Sequence, residues 1–181
     1  MGDWNSASSF VDGAARKKGN NLMTHDELRQ AIVTQRQRLN AAVAGLDRQT
    51  LETAPMCGTW SARDLVGHLL DWQTVLLAAA RFALGGPRPI DLPIEDGEAF
   101  NASHASARMR DRWVETKADF DASLDDALTW LDCLTPEQLA TSAEFPWGEP
   151  GGTIAGLLEV IPEHLDEHCA YIETWRQAAV A

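Results

Sequence analysis

The stretch SARDLVGHLLDWQTVLLAA, residues 61–79, places Leu65, His68, Leu69, Trp72, Leu76 and Ala79 three or four positions apart. That spacing makes one apolar stripe along a helix, with a histidine in the middle of it. Ser61 is suited to cap the first backbone N–H groups, and Asp64 favours the positive end of the helix dipole. Gly85-Gly86 marks the end. Such a helix must bury its stripe against other elements, so the fold depends on what the rest of the chain offers.

The flanking segments offer more helices. Thr24 followed by Glu27 is a capping box, and Leu28, Ile32, Leu39, Val43 and Leu46 then recur at helical spacing, predicting a first helix over about 25–45. A polar passage with Pro55 and Gly58 separates it from the helix behind Ser61. PRPIDLPIED, residues 87–96, holds three prolines and reads as a surface loop. From Glu98 to Leu134 neither Pro nor Gly occurs, and Phe100, Met109, Trp113, Phe120, Leu124 and Leu131 supply an apolar face. One long third helix is predicted there, with Ser103–Ser106 as the place where it would bend.

Thr135 and Pro136 open a short extra turn, and FPWGEPGG, residues 145–152, is a loop. Thr153 caps a last helix reaching about Ala178, with Pro162 inside it. That proline predicts a kink just before His164, or else the end of one helix and the start of another. Alternation of period two never persists, so no strand is expected. Four main helices with one apolar face each predict an all-α protein, a four-helix bundle.

Bulk properties narrow the function. A chain of 181 residues with 45% apolar composition can bury one sizeable core. Residues 1–22 are rich in Gly, Ser and Asn without a sustained period, so residues 1–23 read as a disordered leader and 24–181 as the bundle domain, with Met23 an alternative translation start. Acidic residues outnumber basic ones by 27 to 15, and the net charge of −12 disfavours nucleic acid and anionic membrane surfaces as partners. Cys57, Cys133 and Cys169 are widely spread and form no CxxC pair, as expected of reduced thiols in a cytoplasmic protein. No apolar run is long enough to span a bilayer, and no secretory h-region opens the chain, which deprives the sequon at Asn101 of meaning.

The chemistry concentrates in PEHLDEHCAYIETW, residues 162–175. His164 and His168 lie one helical turn apart and can address one metal ion, and their neighbours Ile161, Leu165 and Ile172 turn that face inward. His68, in the stripe of the second helix, supplies a third imidazole if the two helices are neighbours. The bland alternative is that each is a hydrogen-bonded core histidine. Three imidazoles leave coordination positions open, as in catalytic rather than structural zinc sites, and they suit zinc and nickel alike. HLDEH also matches the HxxEH signature of inverted zinc proteases, but only 13 residues follow His168, too few for the further carboxylate ligand that reading needs. His25 and His104 read as surface residues, Glu163 and Glu167 as a solvated flank, and Trp60 and Trp72 as core or bundle-end anchors.

TWSARDLVGHLLDW, residues 59–72, followed far downstream by EHLDEHCAYIETWR, residues 163–176, resembles the DinB-like superfamily, in particular the branch of the mycothiol-dependent maleylpyruvate isomerase N-terminal domain. The likeness covers about residues 24–178, and EAFNAS at 98–103 looks like that branch's third-helix start. It implies an up-down-down-up bundle holding a divalent metal through His68, His164 and His168. In the isomerase a glutamate takes one of these places, so His164 argues for the metal site and against transfer of the isomerase reaction itself. The resemblance implies thiol S-transfer or isomerisation with a low-molecular-weight thiol, mycothiol or bacillithiol, as co-substrate. Hydrolysis by an activated water is the rival expectation, and a non-catalytic bundle that binds a metal, a partner or a second copy as homodimer is the third. A small molecule is the expected substrate; no catalytic acid or base is assigned.

Overall fold

The computed structural model describes residues 22–89, 92–150 and 152–180. Four long helices carry it: α1 (His25–Val43), α3 (Ala62–Ala83), α5 (Trp113–Leu131) and α7 (Ile154–Val180). Between them lie α2 (Arg48–Thr53), α4 (Gly97–Ala107), α6 (Pro136–Leu139) and a two-residue antiparallel ladder of β1 (Ser142–Ala143) and β2 (Gly152–Thr153). The protein is an all-α four-helix bundle, and the long passage over residues 84–112 gives the chain the length that an up-down-down-up order requires. Most of the expected leader, residues 1–21, lies outside the described residues.

Helix ends follow the sequence chemistry. Thr24 Oγ1 accepts from Glu27 N while Glu27 accepts from Thr24 N, and Ser61 and Asp64 repeat the arrangement at α3. Thr153 Oγ1 accepts from Gly156 N at 3.1 Å and starts α7. Leu28, Ile32 and Leu39 of α1, Leu65, Leu69 and Leu76 of α3, Phe120, Leu124 and Leu131 of α5, and Leu157, Leu158 and Ile172 of α7 are fully or almost fully buried. Each such side chain contributes about 1.5–3 kcal/mol by leaving water. Packing is most extensive between α1 and α7, α3 and α5, and α3 and α7, so the two histidine-bearing helices are neighbours. Outside, Arg38 of α1 grips Glu173 at 2.6 and 2.7 Å and Asp166 at 2.5 Å, pinning the outer face of α7 and turning the opposite face inward.

Four expectations are corrected. The single helix over 98–134 is two, α4 and α5, broken at residues 108–112 rather than bent at Ser103–Ser106. No residue of α4 is fully buried, and Arg108 leaves the helical path to pair with Asp71 of α3. Arg112 then restarts the helix, its N–H donating to Glu115 at 3.1 Å. The polar passage before Ser61 contains α2, capped by Asp47, which accepts from Thr50 N at 2.8 Å and seats the buried Leu51. The ladder of β1 and β2 is a strand element where none was expected. It closes because residue 152 is glycine: a Cβ there would meet Phe145 at 2.7 Å and the Ala143 carbonyl at 3.1 Å. Finally, α7 runs unbroken through the buried Pro162, so the alternative of two separate helices does not hold.

Candidate metal centre

His68 occupies the inward stripe of α3, and His164 and His168 stand one turn apart on the inward face of α7. Because α3 and α7 pack together, the three rings meet. His164 Nε2 lies 3.0 Å from His68 Nε2 and 2.8 Å from His168 Nε2, with ring centroids 4.6 to 5.0 Å apart. His164 and His168 are 4% and 5% exposed, so neither ring has access to bulk water.

Burial decides the protonation state. It pushes His68 from the ordinary 6.5 down to about 4, a hydrogen bond from the ring to Asn101 opposing it. His164 and His168 are held well below the ordinary range, first by burial and then by the neighbouring imidazoles. All three are therefore neutral near pH 7, the form in which imidazole ligates metals.

This donor set fits a cation better than it fits itself. A neutral imidazole nitrogen offers either one proton or one lone pair, and His164 Nε2 cannot satisfy two neighbouring nitrogens at once. One cation accepting all three lone pairs would. Nitrogens bound at about 2.0–2.1 Å to one ion stand roughly 2.8–3.4 Å apart, depending on the angle between them, and both short separations fall in that range. These three residues form a group that could hold a metal ion, and among the described residues no carboxylate or thiol joins them. With Nε2 as ligand atom, His168 carries its proton on Nδ1, which is buried without a hydrogen-bond partner among the described residues.

The other histidines stay apart. His25 links the start of α1 to the end of α5 through the Leu131 carbonyl at 3.1 Å, so it is half-buried rather than a free surface residue. His104 faces the Phe100 carbonyl at 2.9 Å and packs tilted against the Phe100 ring, centroids 4.0 Å apart. Cys169 is fully buried beside the pair, its thiol pushed up to about 12 by burial, and serves the core.

Several surrounding groups escaped sequence reasoning. Trp60 lies 5.0 Å from the His68 ring, and Trp72 donates Nε1–H to Asn101 Oδ1 at 2.8 Å, so both tryptophans wall the site. Asn101, dismissed as an idle sequon, reaches His68 from α4. Glu167 is half-buried rather than solvated: burial raises its pKa, and it accepts from the Tyr171 hydroxyl at 3.3 Å. Tyr171 stands 5.7 Å from the His168 ring, and Cys57 is raised by burial and then by Glu167. The signal for Asn101 was its place in EAFNAS; that for Glu167 was its position next to His168.

The sequence pattern of the DinB superfamily matches residues 31–172. The chain belongs to the DinB superfamily. The matched span includes all three histidines and every long helix in whole or in large part. No curated protein matches. Among solved structures, DfsB, described as a sibling lethal factor precursor, superposes with a TM-score of 0.72 at 18% identity, covering 88% of this chain and 98% of its own. YfiT from Bacillus subtilis, described as a probable metal-dependent hydrolase with an unusual four-helix bundle topology, gives 0.70 at 20% identity, covering 90% and 91%. An uncharacterised protein from Escherichia coli UTI89 gives 0.69 at 17%, covering 86% and 94%. At these identities the likeness establishes the shared DinB fold. No helix among the described residues is long and apolar enough to cross a membrane.

Proposed function

We propose that this DinB protein is a divalent-metal-dependent enzyme of the cytoplasm whose ligands are His68, His164 and His168. The observation that carries the proposal is the meeting of three neutral imidazoles, two buried and one half-buried, around His164 Nε2, with no further ligand group joining them among the described residues. When bound, a zinc or nickel ion supplies Lewis acidity, which activates a small nucleophile and polarises a substrate oxygen. The protein's share is to hold the three rings neutral and oriented and to wall the site with Trp60 and Trp72. Asn101 fixes the orientation of His68, and Tyr171 fixes Glu167, the residue before His168.

Water is the nucleophile we favour, and the reaction class is hydrolysis of a small molecule. The description of YfiT supports it. Thiol S-transfer is the second reading, favoured by the resemblance of the two histidine motifs to the thiol-dependent branch. The deciding experiment loads the protein with zinc or nickel and offers ester and amide substrates in water, then electrophiles with mycothiol or bacillithiol. Turnover that needs metal and is lost in His164→Ala supports an enzyme, and the arm that turns over names the nucleophile. Metal binding without turnover in either arm contradicts catalysis and leaves a metal-binding bundle.

A further inference from the structure

Asp64, His68 and Asp71 stand at i, i+4 and i+7 on one face of α3, so His68 has a carboxylate one turn away on either side. Each carboxylate holds an arginine. Arg63 Nη2 and Nε donate to Asp64 Oδ1 at 2.9 and 3.1 Å. Arg108, from the turn that breaks α4 from α5, donates through Nε to both Asp71 oxygens at 3.1 and 3.2 Å and through Nη2 to Oδ1. With Asn101 and Thr116 of α5 these residues line a cleft in whose wall His68 takes part. Gly67 admits the arginine, since a Cβ there would stand 3.0 Å from Arg108 Cδ and 3.6 Å from Thr116 Cγ2.

The cleft has donors to spare. Arg108 uses Nε and Nη2 on Asp71, and its Nη1 makes no hydrogen bond among the described residues. Thr116 is 2% exposed with its hydroxyl unpartnered. Leaving a buried hydroxyl unpaired costs about 1–3 kcal/mol, a cost that valine in the same space would avoid. A partner from outside the chain resolves this. The two arginines and two aspartates of the cleft cancel in charge, and the chain as a whole is at −12, which disfavours a doubly charged phosphoryl group and leaves a single carboxylate as the matching acceptor.

We infer that this cleft binds the carboxylate of a small organic acid, held by Arg108 Nη1 and the Thr116 hydroxyl, and so directs the remainder of the molecule toward His68. The carboxylate recognition stands on the cleft alone; that the rest of the molecule reacts at the histidines rests on the function proposed above.

Calorimetric titration of metal-stripped protein with butyrate, with its neutral counterpart butyramide, and with inorganic phosphate tests the inference without any activity. Butyrate should bind at least ~10-fold more tightly than either other probe, as expected of a charge-assisted hydrogen bond. Thr116→Val should weaken butyrate ~10-fold with its thermal midpoint held or raised. The double variant Asp71→Asn/Arg108→Gln, which removes both charges together, should lose the preference over butyramide. Equal binding of butyrate and butyramide, tighter binding of phosphate, or unchanged butyrate binding in Thr116→Val overturns the inference, and Thr116→Val decides if the double variant does not fold. Metal content before stripping separates the two readings: metal held without butyrate preference sinks the cleft alone, and butyrate preference without metal sinks the histidine centre alone.

Discussion

The interior of the bundle has two characters. Along α1 and α5 the core is made of Leu28, Ile32, Leu39, Phe120, Leu124 and Leu131, and charged groups such as Arg36 and Asp121 stay at the surface, where they pair. Around α3 and α7 the interior holds His164, His168, Asp71, Gln73 and the half-buried His68, with Thr116 of α5. The apolar core is dry, and the second region meets solvent where the half-buried His68 and Arg108 line the cleft. The first leaves one buried polar atom without a partner, Gln35 Oε1 of α1, whereas the second leaves three among the described residues: His168 Nδ1, Thr116 Oγ1 and Gln73 Oε1. Burial without satisfaction lowers stability, so the difference marks where the molecule is built around something other than itself.

Substitutions should separate the two regions. Phe120→Ala should cost about 3–5 kcal/mol in denaturant unfolding while the metal content of the folded protein stays unchanged. Unfolding at similar cost accompanied by loss of metal would mean that the two regions are not separable. Asp71→Asn, which strands the partly exposed Arg108, should cost about 2–3 kcal/mol in the same assay, less than a fully buried pair. A cost near zero would show that the pair is solvated.

The pH dependence sharpens the contrast. The folded-state value of His68 is depressed to about 4 from 6.5, and those of His164 and His168 are depressed as well. The unfolded chain therefore takes up protons first as pH falls, and metal-free protein should lose stability progressively from about pH 6.5 down through pH 4. His164→Leu should flatten this slope in thermal melts, and an unchanged slope would place the titrating groups elsewhere. The smallest effect belongs to Thr116→Val, which should be neutral or stabilising by up to about 1 kcal/mol, since it removes an unpaired hydroxyl.

What the sequence disclosed follows from the range of each interaction. The four long helices were legible because periods of 3.6 and caps such as Thr24, Ser61 and Thr153 are written locally. Convergence of His68 on His164 and His168 was legible because apolar stripes tell which way each ring faces. The break at residues 108–112 was not, because its cause is a contact between Arg108 and Asp71, 37 positions apart, and local propensity alone continues the helix. The carboxylate cleft was hidden for the same reason: Arg63, Asp71, Arg108 and Thr116 become a group only after α3, α4 and α5 have packed. The ladder at Gly152 depends on the approach of Phe145 across a loop, which no period of two announces.

The most direct test of the account is elemental analysis of the purified protein beside His68→Ala, His164→Ala and His168→Ala, each first shown to be folded by circular dichroism. Wild type should carry ~1 divalent ion per chain and each variant should retain little or none, because two imidazoles cannot replace a three-ligand set. Full metal content in all three variants would contradict it and leave a helical bundle whose buried histidines merely bond to one another.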